Sequence, residues 1–232
     1  MPETRAPHRI LTGHLARRRA SHSYGYVLLM IGATFFFTAT APDDAWAASI
    51  LVLLQTVTLC VALWTSGLAR AGSLLNIAFV GVAVVVAVVG LFRTGSTASG
   101  LLALLAGVLT IAVVLVLALS IVDQGEINAQ SITGAICIYI LLGMIFLFIY
   151  GTAAAFGHGA FFAQGTDGTR ALRLYFSYVT LATLGYGDYT PAGNFGHAVA
   201  IVEALFGQLY LVTVVAVLVS RMRPRRGGVL DE

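Results

Sequence analysis

Apolar residues occur along this chain in long runs that short polar segments interrupt. A helix that crosses a bilayer needs about 20 predominantly apolar residues, and five runs reach or nearly reach that length. A sixth run is shorter, but Tyr24 and Tyr26 at its start are typical of side chains that anchor a helix at the membrane surface. The pattern predicts an all-α membrane protein with six transmembrane helices, at 24–41, 47–68, 74–92, 101–122, 132–156 and 195–220.

The composition favours the same class of protein. The hydrophobic fraction is 59% and the charged fraction is 10%, whereas a soluble domain carries about 25% charged residues. The formal net charge of +3 comes from thirteen arginines and no lysine, and it is too small and too concentrated near the chain ends to indicate nucleic acid binding. Cys60 and Cys137 lie in separate apolar runs, which predicts buried thiols rather than a disulfide or a metal site.

The arginines indicate how the chain crosses the membrane. Cytoplasmic loops are rich in arginine and lysine, and an N-terminus inside the cell places ten of the thirteen arginines on the cytoplasmic side. We therefore expect a multi-pass plasma-membrane protein with both termini in the cytoplasm, although the loop 123–130 has two acids and no arginine. An alternative for the first run is a secretory signal, since "ARRR" precedes it and the small-residue stretch "DAWAAS" follows it.

The segment 157–194 differs from its surroundings because it is polar and rich in glycine. It contains one short apolar stretch, 171–182, which predicts a re-entrant helix of about three turns before the last span. Gly185, Tyr186 and Gly187 follow this stretch, and irregular backbone at membrane depth is tolerated only where it is buried in protein or lines a wet cavity. Glycine adopts positive φ at little cost, so alternating such residues with ordinary ones can turn successive carbonyl groups toward a cation.

The motif "TLGYGD" after "YFSYVTLA" resembles the pore signature of the potassium channel family, in the prokaryotic six-transmembrane form. The family filter is built from four TVGYG loops, one from each subunit, and Leu184 replaces the usual valine here. The resemblance covers about 132–222. It implies a homotetramer with a K⁺-binding selectivity filter, formed by the carbonyls of Thr183, Leu184, Gly185 and Tyr186 and the Thr183 hydroxyl, with Gly187 at the outer turn.

The resemblance also implies residues that support the filter. Asp188 typically holds the filter loop from behind by hydrogen bonding. Some potassium channels pair this aspartate with a glutamate at the position of Val179, and Val179 cannot make that contact. We therefore predict that the hydroxyl of Tyr175 is the partner of Asp188, and we include Thr180 among the supporting residues, beside the aromatic Phe176.

The last apolar run is similar to the inner helix of prokaryotic potassium channels. Glu203 is a carboxyl group within the membrane, which marks it as a functional candidate: it is either a protonated or hydrogen-bonded brace near the re-entrant helix, or a group near the outer interface that water reaches. Gly207 is either a bend point for gating or a site of close helix packing. His158 and His197 are expected as solvated residues of outer loops, with pH sensing as the alternative.

The first four runs lack the arginine ladder of a voltage sensor. Each charge that crosses the membrane field gains only about 2.3 kcal/mol per 100 mV, so a sensor needs several arginines, and the run 101–122 has none. The expected domains are a cytoplasmic tail (1–23), a four-helix bundle that resembles a voltage-sensor domain without the ladder (24–122), a cytoplasmic linker (123–131), a pore domain (132–220) and a second cytoplasmic tail (221–232).

The sequence thus predicts a potassium-selective channel that conducts passively, is not gated by voltage in the usual way, and needs no cofactor beyond permeant K⁺. Its partners are further copies of the same chain and membrane lipid. Three alternatives stay open: a weakly selective cation channel, a non-conducting regulatory subunit with a pore-like motif, and a secondary transporter, which would be expected to show inverted repeats. An enzyme is not expected, because no nucleophile motif or His/Cys/Asp cluster is present.

Overall fold

A computed structural model describes residues 23–66, 95–123 and 129–221, together with 80–81, 83–85, 87–88 and 90. The predicted chain termini and most of the predicted run 74–92 lie outside these residues, but the described positions between 80 and 90 are helical. Six further helices follow one another along the chain: α1 (Ser23–Thr40), α2 (Ala45–Ser66), α3 (Ser96–Asp123), α4 (Ala129–Phe156), α5 (Arg170–Leu181) and α6 (Asn194–Arg221).

Four of these helices are long and apolar enough to cross a membrane: α2, α3 over Thr97–Asp123, α4, and α6 over Asn194–Val214. Helix α1 is apolar but shorter, over Tyr24–Thr40. The described part of the chain contains no strand, only isolated bridges of Phe162 with Thr166 and with Pro191. The prediction of an all-α membrane protein is therefore supported, whereas the number of six spans stays a prediction.

The observed helices begin earlier than the apolar runs that predicted them. Helix α3 starts at Ser96 instead of 101, and α4 starts at Ala129 instead of 132. The added first turns are rich in serine and threonine or carry glutamine. Hydropathy leaves such residues out of an apolar run, but they suit a helix end near water, where the first backbone N–H groups need partners.

Helix α4 forms the centre of the molecule, because α1, α3, α5 and α6 all pack against it. Leu141, Met144 and Leu147 on α4 are fully buried or nearly so. They recur at spacings of three residues, as expected for one face of a helix. Leu109, Val113 and Leu117 of α3 repeat every four residues and are also fully buried. These two stripes join the first part of the chain to the part that contains the glycine motif.

Helix α5 is short and amphipathic, and its ends are well defined. Thr169 is the N-cap, with its side-chain oxygen accepting a hydrogen bond from the backbone N–H of Leu172, as threonine commonly does at this position. The helix packs against α1, α4 and α6, and the ring of Tyr178 meets Phe35 of α1 edge-on at a centroid distance of 5.3 Å. Three elements therefore fix the orientation of α5.

Two sequence-based expectations are wrong in the structure. Cys137 is buried as expected, but Cys60 is exposed, because α2 turns this position away from its neighbouring helices. An apolar run does not reveal which face of a spanning helix meets protein and which meets lipid. His197 is exposed as expected but lies in the first turn of α6 instead of a loop.

Candidate functional site: the glycine motif between α5 and α6

The backbone of residues 183–187, which we call the filter segment, alternates in handedness. Thr183, Gly185 and Gly187 have φ of 56°, 56° and 75°, while Leu184 and Tyr186 between them do not have positive φ. Thr183 is the one described residue other than glycine with positive φ, a conformation that costs an L-residue roughly 1–2 kcal/mol. The alternation predicted for the two glycines is thus present, and it extends one residue further toward α5.

The N–H groups at the start of the filter segment point back to the end of α5. Thr183 N donates to Thr180 O at 2.9 Å, and Leu184 N donates to Val179 O at 2.9 Å. In the described part of the chain, no N–H or side-chain donor bonds to a carbonyl oxygen of the filter segment. Backbone carbonyls left without partners are the groups that can replace the hydration shell of a cation.

Tyr175 and Asp188 form the hydrogen bond that the sequence predicted, with Tyr175 Oη donating to Asp188 Oδ2 at 2.8 Å. This bond raises the pKa of Tyr175 to about 12, so the phenol stays protonated and remains a donor. The ring of Tyr175 also stacks on Tyr186 at a centroid distance of 6.4 Å. Val179 is buried and makes no contact with Asp188 of the kind a glutamate would make.

A glutamine in the preceding loop holds the outer side of Asp188. Gln164 Nε2 donates to the backbone oxygen of Asp188 at 2.9 Å, and Gln164 Oε1 accepts from Thr190 N at 3.3 Å. This contact could not be predicted from the sequence, because Gln164 is 24 residues away from Asp188. The side chain therefore bridges the two loops that flank α5.

A second contact missed by the sequence analysis lies at the base of the filter segment. Gln208 Nε2 on α6 donates to Thr183 Oγ1 at 3.0 Å. Gly207, the preceding residue, packs so closely on α5 that a Cβ atom there would clash with the carbonyl oxygen of Leu181. This supports the packing interpretation of Gly207. A glycine next to a polar residue in an apolar span was the signal that could have identified Gln208.

Glu203 lies behind α5 and is fully buried. Tyr150 Oη on α4 donates to Glu203 Oε2, and Ser177 Oγ on α5 lies within hydrogen-bonding distance of Glu203 Oε1. Ser177 Oγ also contacts the backbone oxygen of Gly143 on α4 at 2.7 Å. Glu203 is thus a hydrogen-bonded brace between three helices, and the alternative of a group reached by water does not fit its burial.

The side chains of Leu184 and Tyr186 are 57% and 65% exposed. Neither side chain is therefore buried within one chain. His158 and His197 are also exposed. The structure therefore brings together the filter segment, Tyr175, Asp188 and Gln208, while Glu203 supports α5 from the opposite side.

The start of α5 is held by charge. Arg170 lies 3.4 Å and Arg173 3.9 Å from the carboxylate of Asp43, which follows α1. Both guanidinium groups are largely buried, and this burial lowers their pKa while Asp43 opposes the shift. Arg173 Nη1 also donates to the backbone oxygens of Asp167 and Gly168. Asp43, Arg170 and Arg173 line one wall of a cavity of about 450 Å³ between α2, α3, α4 and the start of α5.

The architecture defines a class of protein: a membrane protein in which a short helix and an irregular glycine segment lie between two long apolar helices. Residues 134–223 match the family model described as "Ion channel". The match runs from within α4 through α5 and the filter segment to the end of α6, and it supports an ion channel in this part of the chain. No solved structure matches the chain.

Proposed function

We propose that this protein is a potassium-selective channel in which four copies of the filter segment surround one pore. The observation that carries the proposal is the alternating backbone of Thr183–Gly187. The N–H groups of its first three residues bond back to the end of α5, and its carbonyl oxygens have no donor within the described chain. The sequence Thr-Leu-Gly-Tyr-Gly differs at one position from the TVGYG of potassium filters. The proposed ions bind at the carbonyls of Thr183, Leu184, Gly185 and Tyr186 and at the Thr183 hydroxyl.

The proposed tetramer accounts for the exposed surface around the filter segment. One chain contributes only one wall of a pore, so a ring of carbonyl oxygens requires several copies. Among the described helices, α6 contacts only α4 and α5 to an appreciable extent. It exposes a broad apolar surface that neighbouring copies would cover in part. That surface is formed by Ile201, Leu205, Phe206, Leu209 and Val212.

The dimensions of α5 support a re-entrant placement. Its twelve residues span about 18 Å at 1.5 Å per residue, well short of the roughly 30 Å hydrocarbon core. Its carbonyl end, with partial negative charge, leads directly into the filter segment and would favour an arriving cation. In this proposal α5 and the filter segment enter the membrane from the outer side. The protein lies in the plasma membrane with both termini in the cytoplasm.

The composition of helix α3 favours a channel without a voltage sensor. It corresponds to the predicted fourth span, and its residues Ser96–Asp123 contain no arginine. A bundle without charges in the field does no electrical work when it moves. The first four spans are therefore proposed as a peripheral support for the pore. The contacts of α1 with α5 and of α3 with α4 are consistent with this supporting role.

Ion flux into proteoliposomes that contain the purified protein tests the proposal. We expect uptake of K⁺ to exceed uptake of Na⁺ strongly, and Gly185→Ala to abolish the difference. Equal uptake of the two ions would instead indicate a weakly selective cation channel. Absence of flux at every tested potential, with a folded tetramer present, would contradict the proposal and favour a non-conducting subunit.

A further inference from the structure

The contacts of Ser177 determine where a proton lies. Its Oγ is within hydrogen-bonding distance of Gly143 O and of Glu203 Oε1. A carbonyl oxygen has no hydrogen to give, and an ionised carboxylate has none either. Because a serine hydroxyl has a single hydrogen, it can satisfy only one of these two oxygens, and the other contact then brings two acceptors together without a hydrogen between them.

A protonated Glu203 resolves this conflict completely. Tyr150 Oη donates to Glu203 Oε2, Glu203 Oε1 donates its own hydrogen to Ser177 Oγ, and Ser177 Oγ donates to Gly143 O. Every hydrogen in this chain of contacts then has one acceptor, and every contact has one hydrogen. Networks in which all members are satisfied are the ones that stabilise a buried polar site.

The surroundings of Glu203 favour the same state. Glu203, Tyr150 and Ser177 are each fully buried. The titratable groups near its carboxyl are the phenols of Tyr150 on α4 and Tyr178 on α5, and the Tyr178 hydroxyl is engaged with the backbone oxygen of Ile140. No cation pairs with Glu203 among the described residues. An unpaired buried carboxylate is costly, and within a membrane it is costlier still.

We propose that Glu203 is a neutral carboxylic acid that positions the helix before the filter, donating its Oε1 hydrogen to Ser177 while accepting from Tyr150. The acid fastens α5 to α4 and α6 at Ser177, two residues before Val179, and the carbonyl of Val179 accepts from the N–H groups of Leu184 and Gly185. Glu203 is therefore a positioning residue that does not touch the ion. Its protonation rests on the fold alone, and only its effect on ion flux rests on the proposed function.

Infrared difference spectroscopy of the full-length protein in lipid tests the protonation. At neutral pH the wild-type spectrum minus that of Glu203→Gln should contain the C=O stretch of a carboxylic acid, which deuterium exchange shifts. Asp123→Asn is the matched control, because Asp123 is exposed at the end of α3, and its difference spectrum should contain only carboxylate bands. A Glu203→Gln difference with carboxylate bands and no acid band would overturn the proposal.

Two further variants keep the test decisive if Glu203→Gln does not fold. Tyr150→Phe removes the donor to the C=O group and should move the acid band to higher frequency, and Ser177→Ala removes the acceptor of the acid hydrogen and should also move it. If neither variant changes any acid band, the proposal is wrong.

Ion flux then tests the positioning role separately. Glu203→Gln can both donate and accept, so it should retain flux within about twofold of wild type. Glu203→Ala breaks the buried network and should lower the K⁺/Na⁺ flux ratio about tenfold. An unchanged ratio in Glu203→Ala would refute positioning while leaving the infrared result intact.

Discussion

Gln208 Nε2 donates a hydrogen bond of 3.0 Å to Thr183 Oγ1, and this contact joins α6 to the base of the filter segment. Thr183 is also the one non-glycine residue with a left-handed backbone in the part of the chain that the structure describes. The hydrogen bond orients the hydroxyl of a residue whose backbone is already strained, and strained residues persist where their surroundings hold them. A movement of α6 would therefore reach the filter segment through Gln208.

Replacing Gln208 tests this connection. In Gln208→Leu the shape of the side chain is roughly kept but the donor is lost, and a neutral hydrogen bond contributes about 0.5–1.5 kcal/mol. We expect the K⁺/Na⁺ permeability ratio to fall two- to tenfold, as read from single-channel reversal potentials. Leu115→Ala on the exposed face of α3 is the control. An unchanged ratio in Gln208→Leu would mean that the contact does not shape the filter.

The glycines of the filter segment should be intolerant of a methyl group for a purely conformational reason. No atom lies within 4 Å of a Cβ built at Gly185 or Gly187, yet both have positive φ. Alanine at either position should therefore cost roughly 1–2 kcal/mol in each chain and reduce selective flux. Gly32→Ala is a matched control, since Gly32 is equally uncrowded but lies within α1 and alanine favours a helix by roughly 0.5–1 kcal/mol. Equal thermal stability of Gly185→Ala and Gly32→Ala would contradict this account.

Removing the hydroxyl of Tyr175 should loosen the outer end of the filter segment. Tyr175→Phe keeps the ring that stacks on Tyr186 but loses the hydrogen bond to Asp188, so we expect K⁺ currents to decay several-fold faster during sustained opening. Because the hydrogen bond raises the pKa of Tyr175 to about 12, its stabilising effect is fully present below the usual tyrosine pKa near 10 and declines as the pH rises through about 12.

Tyr189→Phe provides the control for that variant. Tyr189 lies beside Asp188, and its ring packs on Phe162 at a centroid distance of 5.6 Å, so its aromatic contact survives the change. If the currents decay at the same rate in the two variants, the Tyr175 hydroxyl does not hold the filter segment.

The ion pairs at the start of α5 should stabilise its position. Asp43→Asn leaves the largely buried guanidiniums of Arg170 and Arg173 without their carboxylate. Since Asp43 itself is partly exposed, we expect a loss of about 1–2 kcal/mol rather than the full cost of breaking a buried pair, measured as a lower thermal unfolding midpoint. Asp44→Asn, at a residue whose carboxylate accepts from Trp46, should have the smaller effect. The reverse order would show that Asp43 is not the main partner.

Local features of the candidate site could largely be predicted from the sequence, whereas most contacts between residues far apart in the chain could not. The backbone of the glycines could be predicted from their φ preference. The Tyr175–Asp188 bond could be predicted from the resemblance to potassium channels. The Gln208–Thr183 contact could not be predicted. It depends on which face of α6 lies against α5, and hydropathy does not show how a helix is rotated about its axis. The prediction for Cys60 was wrong for the same reason, because hydropathy does not show which face of α2 meets other helices. Glu203 was recognised as unusual from the sequence, but its partners Tyr150 and Ser177 lie 53 and 26 residues away.

The reversal potential of single channels in a planar bilayer, with K⁺ on one side and Na⁺ on the other, tests the central claim most directly. A pore lined by the carbonyls of four filter segments predicts a large reversal potential of the sign that K⁺ selectivity requires, and its collapse toward zero in Gly185→Ala. A wild-type reversal potential near zero would contradict the account, because it would mean that the pore does not distinguish K⁺ from Na⁺.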